Sequence, residues 1–119
     1  MLLGADWNGC VIRKITPAGV VTTFAGTAGL WGHVDGTGSA ARLYYPTGIT
    51  RDSAGTFFVT SRDDTIRSIS STGTVVTIGG LDRVPGNNDG TADWARFSEP
   101  TGILADNSGN VFVAQRNVV

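Results

Sequence analysis

The chain of 119 residues holds a single histidine, His33, in a stretch that also carries Trp31, Tyr44 and Tyr45; a second stretch carries Trp94. Aromatic side chains on loops of a rigid scaffold suit the recognition of sugars and of protein surfaces. Trp31, His33, Tyr44, Tyr45 and Trp94 are therefore the candidate ligand-binding residues. The plainer reading is that they pack the loops onto the scaffold, and for Trp94, next to Ala95-Arg96-Phe97, that reading is favoured. Catalysis has thinner support. A catalytic zinc takes three protein ligands, mostly His, whereas this chain has one His and one Glu, Glu99. One His among many Ser gives a Ser-His-Asp triad no positional signal. Gly26, Gly29 and Gly32 lack the Lys and the long helix of a phosphate loop. No catalytic residue and no metal ligand is assigned.

Two Asp-Gly-Thr triplets, Asp35-Gly36-Thr37 and Asp89-Gly90-Thr91, lie in the same two stretches, the second beside Asn87, Asn88 and Asp93. Calcium is the one cofactor such oxygens suggest, but it takes six to eight ligands and the EF-hand spacing is absent. An Asx turn with Asp35 or Thr37 capping a short helical turn is favoured. Arg42 and Arg96 recur at equivalent places. Each is expected to brace the scaffold by pairing with a recurring carboxylate, from Asp35, Asp52, Asp89 or Asp106. Arg13, Lys14, Arg62, Arg67 and Arg116 are the cations a single-stranded RNA would need; balanced by Asp63 and Asp64, they read as a solvated face. Cys10 has no partner Cys, leaving an inert hairpin residue or an intermolecular disulfide.

The elements that position these residues follow from composition and repetition. Net charge is −1, 40% of residues are hydrophobic and 16% charged. These figures argue against disorder and against general attraction to nucleic acid. No apolar run reaches the roughly 18 residues of a membrane helix. Seventeen Gly point to many tight turns between short strands. The chain also repeats itself at an offset of about 54 residues, with roughly 22 identities per period. Val11-Ile12-Arg13-Lys14-Ile15 is answered by Thr65-Ile66-Arg67-Ser68-Ile69, and Pro46-Thr47-Gly48-Ile49 by Pro100-Thr101-Gly102-Ile103. Each period reads as four short strands, in the complete copy Thr47 to Asp52, Thr56 to Ser61, Thr65 to Ser70 and Thr74 to Ile78. A four-stranded antiparallel unit repeated radially is a propeller blade, so the expected fold is all-β, a β-propeller segment.

Asp35-Gly36-Thr37 through Ala41-Arg42-Leu43, then Pro46-Thr47-Gly48-Ile49, Asp52-Ser53-Ala54-Gly55, Thr65-Ile66-Arg67 and Gly73-Thr74-Val75-Val76-Thr77 resemble NHL repeats carrying a longer inter-blade insertion. The resemblance covers nearly the whole chain. It implies a propeller, usually of six blades, that serves mostly as a binding scaffold. Gly4 departs from it, standing where a β-branched residue is usual, and Ser61-Arg62-Asp63-Asp64 makes a turn one residue short.

The expected organisation is a partial blade at 1–26 (strands two to four), an inter-blade loop at 27–46 and a complete blade at 47–80. A second loop at 81–100 and a partial blade at 101–119 (strands one and two) follow. Other polypeptide is expected to complete the ring, either the remaining blades of a longer protein or other copies of the chain. Three copies sharing strands would give six blades in C3 symmetry. The expected function is a non-catalytic binding or assembly module that recognises protein or glycan through its inter-blade loops. The alternatives are a propeller hydrolase or lyase with a site at the channel mouth, and single-stranded RNA binding. Composition and resemblance lean towards a secreted or cell-surface protein.

Overall fold

The computed structural model describes residues 2–116, so Met1 and the last three residues of the predicted 101–119 segment lie outside the described residues. The described chain is all-β, with antiparallel pairing throughout its sheets. The first sheet runs β1 (Leu2–Asp6), β2 (Val11–Ile15), β3 (Val21–Ala25). The second has five strands. It contains β4 (Gly36–Thr37), β5 (Pro46–Arg51), β6 (Phe57–Ser61), β7 (Thr65–Ile69) and β8 (Thr74–Gly80), in the order β4-β8-β7-β6-β5. The third pairs β9 (Pro100–Ala105) with β10 (Val111–Gln115).

Strand composition accounts for most of this. Ile, Val, Thr and Phe favour the pleated, half-buried surface. Turn chemistry closes the hairpins: Asp52 Oδ1 accepts the backbone N–H groups of Ala54 and Thr56, both at 2.9 Å, while Gly55 takes a positive φ of 91°. Asp106 does the same for Ser108 and Asn110, at 2.8 and 2.9 Å, with Gly109 at φ 87°. The sequence reading missed β4. The first insertion sends Gly36 and Thr37 to pair with Val75 and Thr74 on the outer edge of β8. It also missed the helical turn's true character. Gly38–Ala40 is a 3-10 turn with no side-chain cap. Asp35 is held elsewhere, and the Thr37 hydroxyl meets that of Thr74 at 3.0 Å.

The core lies between the first two sheets. Leu3, Ile12 and Ala25 face Phe57, Val59, Ile69 and Val75, and the insertion wedges Ala41 and Leu43 among them. Each large side chain buried there contributes about 1.5–3 kcal/mol. Both insertions have the same internal frame. Gly32 N–H donates to Leu43 O and Arg42 N–H to Val34 O; in the second, Gly86 N–H donates to Phe97 O and Arg96 N–H to Asn88 O. The inner strands β5 and β9 approach so closely that a Cβ on Gly48 would collide with Thr101 O.

Candidate functional site

Tyr44 and Tyr45 end the first insertion, just before Pro46 opens β5. Tyr45 is left-handed, φ 46°, a strained conformation for a bulky residue. That backbone lets Arg62 N–H reach Tyr44 O and Tyr45 O. The rings meet edge-on, centroids 4.9 Å apart. Trp31 joins edge-on to Tyr44 at 5.5 Å, and Trp7 packs tilted on Tyr45 at 4.8 Å. Arg62 lies over Trp7 at 5.7 Å and Arg83 over Tyr44 at 5.8 Å. Trp7, Asn8, Tyr44, Tyr45 and Arg62 line a concave pocket of about 440 Å³. Four aromatic rings and two cations thus converge from the β1–β2 turn, both insertions and the β6–β7 turn.

The structure brings Trp31, Tyr44 and Tyr45 into one cluster as grouped from the sequence, and adds Trp7, Arg62 and Arg83. Trp7 was missed because it lies far from the insertion along the chain; the packing of β1 beside β5 delivers it. Trp94 is not part of the cluster. It is 62% exposed, so it does not cover apolar surface as expected; Phe97 takes that place against Gly79 and Gly80.

His33 sits beneath Trp31 in sequence but in a polar network. Its Nδ1 is 2.8 Å from Asp63 Oδ2 and its Nε2 is 3.1 Å from Thr77 Oγ1. The Thr77 hydroxyl donates to Asp35 Oδ1 at 2.9 Å, and Thr77 N–H to Asp35 Oδ2 at 3.0 Å. Arg67, fully buried, donates to Asp35 Oδ1 and to the carbonyls of Val34 and Arg42. Burial alone would raise the Asp35 carboxyl, but the Thr77 donors and the Arg67 guanidinium outweigh it and hold it below 3.8. The expected carboxylate partner of Arg42 is thereby corrected. Arg42 Nη1 donates instead to Ser39 O, Ala41 O and Thr27 Oγ1, and Arg96 Nη1 to Asp93 O and Ala95 O. Both arginines are too close along the chain to their own insertion's carbonyls to reach a distant Asp, and Arg67 on β7 is the residue that faces Asp35.

Asp89 lines a second concavity of about 410 Å³ with Asn87, Asn88 and Arg96. Asp106 is a turn residue whose carboxyl the Asn110 side chain, then the N–H groups of Asn110 and Ser108, hold below 3.8. Three of the five cations considered for RNA are paired: Arg67 is buried on Asp35, Arg13 pairs with Asp6 at 3.2 Å, and Arg116 with Glu99 at 3.5 Å. Cys10 is buried, its Sγ directed at Trp7 O, so the surface disulfide has no exposed thiol to form it. Among the described residues, His33, Asp63 and Asp82 are the group whose ligand-type atoms converge. No helix of the described residues is long and apolar enough to cross a membrane.

No family model matches the chain, and no curated protein does. Solved structures do. A protein of unknown function from Bacteroides thetaiotaomicron superposes with a TM-score of 0.88 at 30% identity, over 95% of this chain and 29% of its own length. An auxiliary nutrient binding protein from the same organism gives 0.79 at 25% identity, over 92% and 31%. Another auxiliary nutrient binding protein, from Bacteroides ovatus, gives 0.61 at 26%, over 81% and 28%. The chain therefore spans under a third of the length of the structures it matches.

Proposed function

We propose that the chain forms NHL-type blades of a β-propeller acting as a non-catalytic binding module, with a glycan or a protein surface as ligand. The observation that carries this is the convergence of Trp7, Tyr44 and Tyr45 with Arg62 around one pocket, with Trp31 packed edge-on behind Tyr44. Aromatic faces stack on the apolar faces of sugar rings, and Arg adds donors at the rim. Two of the similar structures are described as auxiliary nutrient binding proteins, which supports the same broad reading. The blade reading rests on the four-strand antiparallel core β5 to β8 and its side-by-side packing with β1–β3 and β9–β10. In this reading the ring is completed by further blades, from the remainder of a longer protein or from other copies.

The test is titration with a panel of soluble oligosaccharides, read by tryptophan fluorescence. A binder should shift the emission of Trp7, and Trp7→Ala should weaken binding about tenfold or more while circular dichroism is unchanged. Binding that is indifferent to both Trp7→Ala and Tyr45→Ala would remove this pocket from the function.

A further inference from the structure

We infer that His33, Asp63 and Asp82 form a site for one divalent transition-metal ion, with zinc the best match to the ligand types. This stands apart from the ligand reading above. One nitrogen or carboxylate oxygen from each residue lies within 4.8 Å of the other two. They come from the first insertion, the β6–β7 turn and the loop after β8, so no sequence spacing announces them.

Hydrogen accounting carries the inference. The Thr77 hydroxyl has one hydrogen and two close neighbours, Asp35 Oδ1 and His33 Nε2. An ionised carboxylate only accepts, so Thr77 donates to Asp35 and must accept from His33 Nε2–H. A neutral imidazole protonated at Nε2 has a bare lone pair at Nδ1. That lone pair points at Asp63 Oδ2 from 2.8 Å, acceptor against acceptor, so a cation belongs between them. A proton would serve for that pair alone. It would leave unexplained Asp82 Oδ1, which is buried with no hydrogen-bond partner among the described residues. A divalent ion accounts for both, sharing Asp82 with Arg83, whose Nη2 lies 3.3 Å from Asp82 Oδ2.

The surroundings suit such an ion. Metal-bound His is commonly oriented by a hydrogen bond from its other ring nitrogen; here Nε2–H donates to Thr77, itself fixed by Asp35 and Arg67. Asp63, fully buried, accepts at its other oxygen from Thr65 N–H at 3.2 Å and the Thr65 hydroxyl at 2.6 Å. One imidazole and two carboxylates match zinc and its neighbours, with water in the remaining position, better than calcium, which prefers six or more oxygens. Zinc ligands sit about 2.0–2.2 Å from the ion, so His33 and Asp63 would part slightly and Asp82 would close. Bound there, the ion would tie the two insertions to the β6–β7 turn beside Tyr44 and Arg83.

Calorimetric titration of the chelator-treated chain with zinc chloride tests this, with cobalt(II) absorption as a spectroscopic check. One ion per chain is expected, with intense visible bands from a four-coordinate cobalt site. The Asp82 side chain bonds only Arg83 among the described residues, so Asp82→Asn should lower zinc affinity roughly tenfold or more with the fold intact. Asp93→Asn, in the second insertion, should leave it unchanged. Absence of saturable binding would overturn the site, as would equal binding by both variants. Nitrogen-15 spectra with both His33 nitrogens protonated and no zinc uptake would assign the bridging cation to a proton instead.

Discussion

Asp35 does its work through Arg67 and Thr77, a pairing that the repeat by itself does not assign. Among the described residues its carboxylate is the only counter-charge on Arg67, which is wholly buried. Removing one partner of such a pair leaves an uncompensated buried charge. Asp35→Ala should therefore destabilise the chain by about 2–3 kcal/mol, short of the full penalty because two carbonyls still hold Arg67. Urea denaturation measures this, and a loss under about 0.5 kcal/mol, the level of an ordinary surface change, would mean that Arg67 is satisfied without it. Asp64 behaves oppositely. Desolvation, then the charges of Asp63 and Glu99, push its carboxyl above 3.8 against the pull of Glu99 N–H. The folded chain thus holds that proton more tightly than the unfolded one. The stabilisation is complete below 3.8 and is lost as pH rises through the raised folded value. Asn keeps the acceptor oxygen and tolerates the left-handed φ of 65° found here. Asp64→Asn should raise the melting temperature at pH 7 and flatten its fall between pH 4 and 7; a lower melting temperature at pH 7 would contradict the electrostatic account. At this scale the sequence revealed that Asp35 mattered but not its partner. Arg13/Arg67 and Arg42/Arg96 recur equally well, and only the side-chain direction from β7 separates them. Trp7 and Asp82 gave no signal, since each joins its cluster solely through tertiary packing.

Strands and turns were far more legible than contacts. Their period-two patterns and Asp-x-x-Gly turns depend on neighbours along the chain, which is what a sequence displays. The two-residue strand β4 was hidden because Gly36 and Thr37 have no strand pattern; it forms only because β8 offers an open edge. Backbone conformation repeats even where residue type does not. Cys10 and Asp64, Gly29 and Arg83, and Tyr45 and Glu99 are matched pairs with positive φ. The six glycines within the described strands are likewise unequal. Gly48 and Gly4 make the clearest contrast: a methyl group on Gly48 would meet Thr101 O and Thr60 Oγ1, whereas Gly4 has nothing within 4 Å. Gly48→Ala should cost about 1–3 kcal/mol by prising β5 from β9. Gly4→Ala should gain about 0.5–1 kcal/mol, since Ala loses less conformational freedom on folding. Chemical denaturation of the two variants compares them directly; equal effects would mean that the β5–β9 approach is not a constraint.

The whole molecule leaves one sheet face whose equivalent is covered. Thr50 and Phe58 pair across β5 and β6, and the Thr50 hydroxyl accepts Ala105 N–H from the neighbouring sheet at 3.3 Å. Their counterparts one period on, Leu104 and Phe112, pair across β9 and β10 and are 64% and 58% exposed. In the propeller reading proposed above, a further sheet would pack on that apolar face. The three-copy ring would supply it by pairing β10 of one copy with β2 of the next. Yet β1 already occupies that edge of β2 in full register, from Leu2 opposite Ile15 to Asp6 opposite Val11. Strand sharing therefore requires β1 to be displaced, whereas packing of intact sheets does not. The two arrangements respond oppositely to deletion of residues 1–10. Strand sharing should be promoted, giving a native mass three times that of one chain, which is 12.4 kDa in full. Packing of intact sheets should instead be weakened, because the first sheet loses the strand that contributes Leu3 to the core. Leu104→Asp combined with Phe112→Asp should reduce self-association of the isolated chain in either arrangement. Light scattering that finds the same mass for this double variant and the parent would mean that the face is simply solvated.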